Sequence, residues 1–190
     1  GTVLSHTSCN GFIVCRCRGS DADRYPRFAR ALKVLKAEGI IGDLDDGPEQ
    51  KPRDEKEIQQ TILDLLPANY FDLLISHHPA GEYTRHIRHE ETGKAVISLW
   101  HSGKISAGEF WAFAYEDGQK NYLPRPIETA GIYNALSKRI WRRKYSIISE
   151  IYGFKPGSFE AETTPRAEAF WGFYNSFEAR KLIKYKETVP

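Results

Sequence analysis

The strongest constraint on the fold is an alternation of short apolar runs with stretches of helical length. Phe12-Ile13-Val14-Cys15 reads as a short buried strand. Phe28, Ala31, Leu32 and Leu35 follow helical spacing, and Gly39 is expected to close that helix. Ile40-Ile41 is a candidate second strand, and Asp43-Leu44-Asp45-Asp46-Gly47-Pro48 carries turn chemistry. Ile58, Ile62, Leu65 and Leu66 form the next apolar stripe, ended by Pro67. Residues 70–75 then read as a strand and residues 90–100 as a helix. Strands separated by helix-length segments predict βαβ units in an α/β fold, with a mostly parallel sheet and helices on both faces. The strands near 11–16 and 70–76 are expected to be parallel neighbours, or near neighbours, in one sheet. Ligands of such sheets collect beyond the carboxyl ends of the strands, here residues 16–24, 43–47 and 77–89.

The second half reads differently. Residues 110–115 suggest a strand ending at Glu116-Asp117-Gly118, and residues 121–126 are irregular. Leu136, Ile140, Ile147 and Ile151 mark a long helix broken at Gly153. Its basic residues Lys138, Arg139, Arg142, Arg143 and Lys144 are expected to form a solvated face. A second helix is expected from Pro165, carrying Phe170, Trp171, Tyr174 and Phe177. The division predicted is an α/β domain over residues 1–105 and a helical, aromatic extension over 106–190 packed on it.

Composition narrows the function classes. The chain has 190 residues, 41% hydrophobic and 27% charged, which is globular composition. Lys plus Arg is 27 and Asp plus Glu is 25, so charge gives no reason to expect nucleic acid as a partner. No apolar run approaches the ~18 residues of a membrane-spanning helix, so no membrane span is expected. The three cysteines, Cys9, Cys15 and Cys17, make no disulfide framework and suit a reducing, cytoplasmic setting. The chain opens on Gly1-Thr2-Val3-Leu4 without a basic leader and contains no Met, which reads as a processed product or an excerpt without a secretory signal. Oligomeric state is not legible.

Four of the six histidines, His77, His78, His86 and His89, fall within thirteen residues after a strand. Imidazole is the commonest metal ligand and titrates near neutrality. A catalytic zinc needs about three protein ligands and an open position. Spacing alone makes His86 and His89 a ligand pair on one helical face, with Glu82, Glu90 or His78 as a further donor.

The stretch Gly81-Glu82-Tyr83-Thr84-Arg85-His86-Ile87-Arg88-His89 resembles the second metal motif of the PIG-L (LmbE-like) de-N-acetylases. Three more segments fall in that family's order: Arg18-Gly19-Ser20-Asp21-Ala22-Asp23-Arg24, Leu44-Asp45-Asp46-Gly47, and Phe71-Asp72-Leu73-Leu74-Ile75-Ser76-His77. The resemblance covers about residues 1–105. It implies a Rossmann-like fold and zinc-dependent removal of an acetyl group from a small amino-sugar substrate of the N-acetylglucosamine type. It makes His89 a zinc ligand and His86 a catalytic residue that stabilises the tetrahedral intermediate or shuttles a proton. It places Arg24, Asp46 and Arg85 on the substrate side; because the segments of Arg24, Asp46 and His89 all follow strand C-termini, Arg24 and Asp46 are expected to point into the cleft containing His89.

Two departures from the family pattern stand out. No His-Pro-Asp-Asp segment is present, although the family draws a His ligand, an Asp ligand and the general base from it. Zinc is therefore expected to bind residues 1–190 weakly or incompletely. Arg88 stands where many relatives carry Asp, so Glu82 or Glu90 is the candidate carboxylate for tuning His86. The alternatives are a non-catalytic sugar-binding member of the family and a metal-dependent amidohydrolase acting on another amide.

Overall fold

The computed structural model describes residues 1–6, 8–82 and 86–184. In chain order the elements are α1 (Thr2–Ser5), β1 (Gly11–Cys17), α2 (Arg24–Leu35), β2 (Ala37–Leu44), α3 (Glu55–Leu65), β3 (Tyr70–Ser76), α4 (Ile87–His101) and β4 (Ser106–Phe113). They continue as β5 (Tyr115–Glu116), β6 (Arg125–Pro126), β7 (Ile132–Ala135), α5 (Lys138–Ser146) with a π-helical turn at Ile147–Ile151, α6 (Phe159–Glu162), β8 (Ala167–Phe173) and α7 (Ser176–Lys184). The fold is α/β, as the alternation predicts, and both long strand pairs joined through a helix are parallel. Among the described residues no helix is long and apolar enough to cross a membrane.

The chain forms two compact units, each assembled from two stretches: Gly1–Asp46 with Tyr133–Glu168, and Gly47–Ile132 with Ala169–Pro190. The boundary expected at residue 105 falls inside the second unit.

In the first unit, β1 and β2 pair in parallel from Gly11↔Ala37 to Cys15↔Ile41, with an irregularity before Cys17↔Leu44. Helix α2 joins them and buries Phe28 and Ala31. It ends at Lys36, which adopts the left-handed conformation (φ 53°, ψ 43°), and not at Gly39. Gly39 lies in β2 opposite Ile13, where a Cβ would sit 2.4 Å from the Ile13 carbonyl oxygen. Its role is close approach of backbone to backbone rather than helix termination. Leu4, Ala31, Ile140 and Ile147 form this unit's core. Two of the five basic residues on α5 are half-buried and engaged within the unit: Arg143 donates to the Val34 carbonyl (3.2 Å), and Lys144 pairs with buried Glu168 (2.8 Å).

In the second unit, α3 starts at Asp54, whose Oδ1 accepts from the backbone N–H of Lys56 (2.9 Å) and Glu57 (3.2 Å). That satisfies two of the donors a helix start leaves open. Strands β3 and β4 run parallel from Tyr70↔Ser106 to Ser76↔Ala112, with α4 as the crossover. Ile58, Ile62, Ile97, Leu99, Ile105 and Phe110 are fully buried between these layers. β8 adds to β4 antiparallel, from Phe110↔Phe173 to Phe113↔Phe170.

Two sequence expectations are corrected. β1 and β3 do not share a hydrogen-bonded sheet; each pairs with the next strand along the chain. Short crossovers favour pairing of sequential strands, and both βαβ connections take that route. The helix expected from Pro165 is instead strand β8 followed by α7. The open side of β4 supplies a hydrogen-bond ladder, and the bulky rings of Phe170, Trp171 and Phe173 suit a pleated surface.

Candidate metal centre

The histidine segment is shaped by α4. The helix starts at Ile87, three residues earlier than the apolar pattern suggests, because His86 is its N-cap. The Nδ1 of His86 accepts the backbone N–H of Arg88 at 3.3 Å. His89 therefore sits in the first turn of α4, while His77 follows the last residue of β3. Gly93 brings these two pieces of chain together. A Cβ on Gly93 would lie 2.4 Å from the His77 carbonyl oxygen and 2.9 Å from the Pro79 nitrogen. Only a residue without a side chain lets the helix pack this closely against the segment leaving β3.

Glu82 occupies the centre of this arrangement. Its side chain is fully buried. One carboxylate oxygen lies 2.7 Å from His77 Nδ1 and accepts the His78 backbone N–H at 3.0 Å. The other lies 3.0 Å from His89 Nδ1. Burial alone pushes the carboxyl pKa up, but the hydrogen bonds from His77 and His89 outweigh it and hold Glu82 at about 2, below its ordinary 4.5. An ionised carboxylate only accepts hydrogen bonds. Both Nδ1 atoms must therefore carry the proton, and in the neutral rings each Nε2 carries the lone pair. The two imidazoles stack with centroids 3.9 Å apart and planes 15° from parallel. The His86 ring lies 5.0 Å from the His89 ring. His78, half-buried in the same segment, has its pKa lowered by burial, against a smaller opposing effect of the Glu82 charge.

His77, Glu82 and His89 offer ligand atoms that all lie within 4.8 Å of one another. Imidazole nitrogens are ligands that zinc accepts. Metal-binding histidines commonly give their other ring N–H to a carboxylate, which sets the tautomer and aims the ligand nitrogen. Glu82 does this for both rings at once. With Glu82 turned to the two Nδ1 atoms, His77 and His89 fit a divalent ion such as zinc as two of the about three protein ligands that a catalytic site takes.

No protein-family model and no curated protein matches the sequence. Among solved structures, the chain is similar to the crystal structure of GalB, the 4-carboxy-2-hydroxymuconate hydratase from Pseudomonas putida KT2440. The two share 14% sequence identity with a TM-score of 0.58, over 91% of this chain and 88% of that one. That similarity shows the fold.

The expected site residues are distributed as follows. His89 is brought against His77 rather than paired with His86. The partner of His89 is thus a residue twelve positions away at a strand end, a distance that helical spacing does not reveal. Glu82, one of three candidate donors in the sequence, is the residue that organises the cluster. Arg88 is buried and tied elsewhere: its guanidinium donates to both Glu91 carboxylate oxygens (3.0 and 2.8 Å) and to the Lys51 carbonyl (3.0 Å). Arg24 and Asp46 belong to the first unit. Arg24 opens α2 with its guanidinium 5.5 Å from the centre of the Tyr152 ring, and Asp46 follows β2. Arg85 lies outside the described residues.

Proposed function

We propose that this protein is a metal-dependent hydrolase that removes an acetyl group from an N-acetylglucosamine-type substrate. The observation that carries the reading is the buried Glu82 carboxylate, which fixes His77 and His89 in the one tautomer that makes both competent ligands. It adds to the resemblance of residues 81–89 to a de-N-acetylase metal motif. His77 and His89 would hold zinc through Nε2, with Glu82 as their orienting carboxylate. When bound, zinc supplies a Lewis acid at the amide carbonyl and lowers the pKa of water.

The chain's own residues supply the remaining parts. His86 accepts a backbone N–H at Nδ1, so its neutral ring carries the proton on Nε2. From beside His89 it can donate a hydrogen bond from Nε2–H to the oxygen on which charge develops. Fixing its ring by the helix N-cap removes the need to order it during reaction. Arg85 is proposed, on the resemblance, to hold a sugar hydroxyl.

The test combines metal analysis and acetate release from N-acetylglucosamine on the full-length protein. With an upstream His-Pro-Asp-Asp in the chain, one zinc per chain and acetate release are expected; residues 1–190 alone should bind zinc weakly and release no acetate. His89→Ala and His77→Ala should lose the metal, whereas His86→Ala should keep it and lose about 10²–10⁴ in rate. Sugar binding without turnover would convert the reading to a binding protein. Hydration of a double bond, with no acetate released, would overturn it.

A further inference from the structure

The register of β3 and β4 places a second kind of group beside the histidines. Ser76 pairs with Ala112, so the next residues, His77 and Phe113, stand side by side at the carboxyl ends of two parallel strands. Alternation puts both on the face opposite buried Ser76 and Ala112. Their rings lie 6.0 Å apart. On the other side of β4, Phe113 is paired with Phe170 of β8, ring centroids 5.3 Å apart. One row therefore crosses three strands: His77, Phe113, Phe170. His77 and Phe113 are half-buried, whereas Phe170 is buried. Tyr115 continues the same face of the chain, its ring 6.2 Å from that of Phe113.

We infer that Phe113 is a specificity-determining residue, an aromatic platform that takes the apolar face of the substrate's sugar ring next to its acetamide. This rests on the hydrolase reading and names which part of the substrate the site recognises. The ring is packed beside its cross-strand neighbour Phe170, so little conformational freedom is lost on binding. It adjoins a ligand histidine, so a pyranose seated on it carries its N-acetyl group toward the His77–His89 pair. A pyranose presents a face of C–H bonds, which complements the negative face of an aromatic ring.

Two variants separate ring recognition from packing. Phe113→Leu keeps apolar volume and removes the aromatic face; Phe113→Tyr keeps the face. Two acetamides are compared, N-acetylglucosamine and the acyclic N-acetylethanolamine. Phe113→Leu should raise KM for N-acetylglucosamine roughly fivefold to tenfold, while kcat and the kinetics with N-acetylethanolamine stay near wild type. Phe113→Tyr should behave as wild type with both. An equal loss for both substrates would show a packing role and overturn the inference, as would no change for either. Binding of N-acetylglucosamine by saturation-transfer NMR distinguishes the two levels of the reading. If no acetate is released but the sugar binds and Phe113→Leu weakens it, the platform stands and the hydrolase reading fails. If acetate is released and Phe113→Leu leaves KM unchanged, the platform alone fails. A protein that neither binds nor cleaves the sugar refutes both.

Discussion

Replacing Glu82 with Gln is the most informative single change, because it removes a charge and keeps the shape. The carboxyl is held at about 2 against an ordinary 4.5. At about 1.4 kcal/mol per pH unit, that depression is worth about 3 kcal/mol of folded-state stability in the metal-free protein. The sign follows from the direction. A carboxyl depressed in the folded state contributes fully above about 4.5 and loses that contribution as pH falls toward about 2. Urea unfolding of the metal-free wild type should therefore lose about 3 kcal/mol more than Glu82→Gln between pH 5 and 2. At pH 7 the variant should be less stable by a similar amount. The amide also has a chemical consequence. Its oxygen can accept from one Nδ1–H, but its NH2 only donates, so the other histidine must move its proton to Nε2. One metal ligand is then lost, and zinc affinity measured by calorimetric titration should fall about 10- to 100-fold. A variant with wild-type stability, an unchanged pH profile and unchanged zinc affinity would refute the reasoning that Glu82 sets the tautomers of His77 and His89.

Further outcomes follow from the same neighbourhood. Gly93→Ala adds a Cβ against backbone at 2.4 Å from the His77 carbonyl; it should destabilise by about 1–3 kcal/mol in denaturant unfolding despite better helix propensity, and weaken zinc binding by moving His89 away from His77. Arg88→Ala removes the guanidinium Nη1 that donates to both oxygens of half-buried Glu91 and leaves that carboxylate only the Arg53 backbone N–H among the hydrogen bonds described for it; a loss of about 3 kcal/mol is expected, largely recovered in Arg88→Ala/Glu91→Ala, as a double-mutant cycle would show. Phe110→Ala empties a fully buried position between α4 and the β3–β4 layer; thermal unfolding should report a cost of about 3–5 kcal/mol.

The sequence by itself determined the α/β class and the position of most first-half elements. Periodicity is local: Ile58 and Ile62 mark the buried face of α3, and the apolar runs at 12–15 and 70–75 became β1 and β3. The stop at Pro67 acts within a few residues of where it is written. Other features were decided by partners distant in the chain. The 167–173 stretch carries aromatic spacing that also fits a helix, and the unpaired side of β4 made it a strand. Lys36 rather than Gly39 ended α2, because Gly39 was needed where β2 passes within contact of the Ile13 carbonyl. The candidate metal centre divides the same way. A cluster of histidines after a strand is visible in the sequence, and so is the choice of His89 by resemblance. The pairing of His77 with His89 across one carboxylate is not. It exists only because Gly93 lets α4 close onto the end of β3, and because the chain between them turns Glu82 inward. Hydrogen-bond geometry at that scale depends on how helix and strand pack, and no local pattern of residue types encodes it.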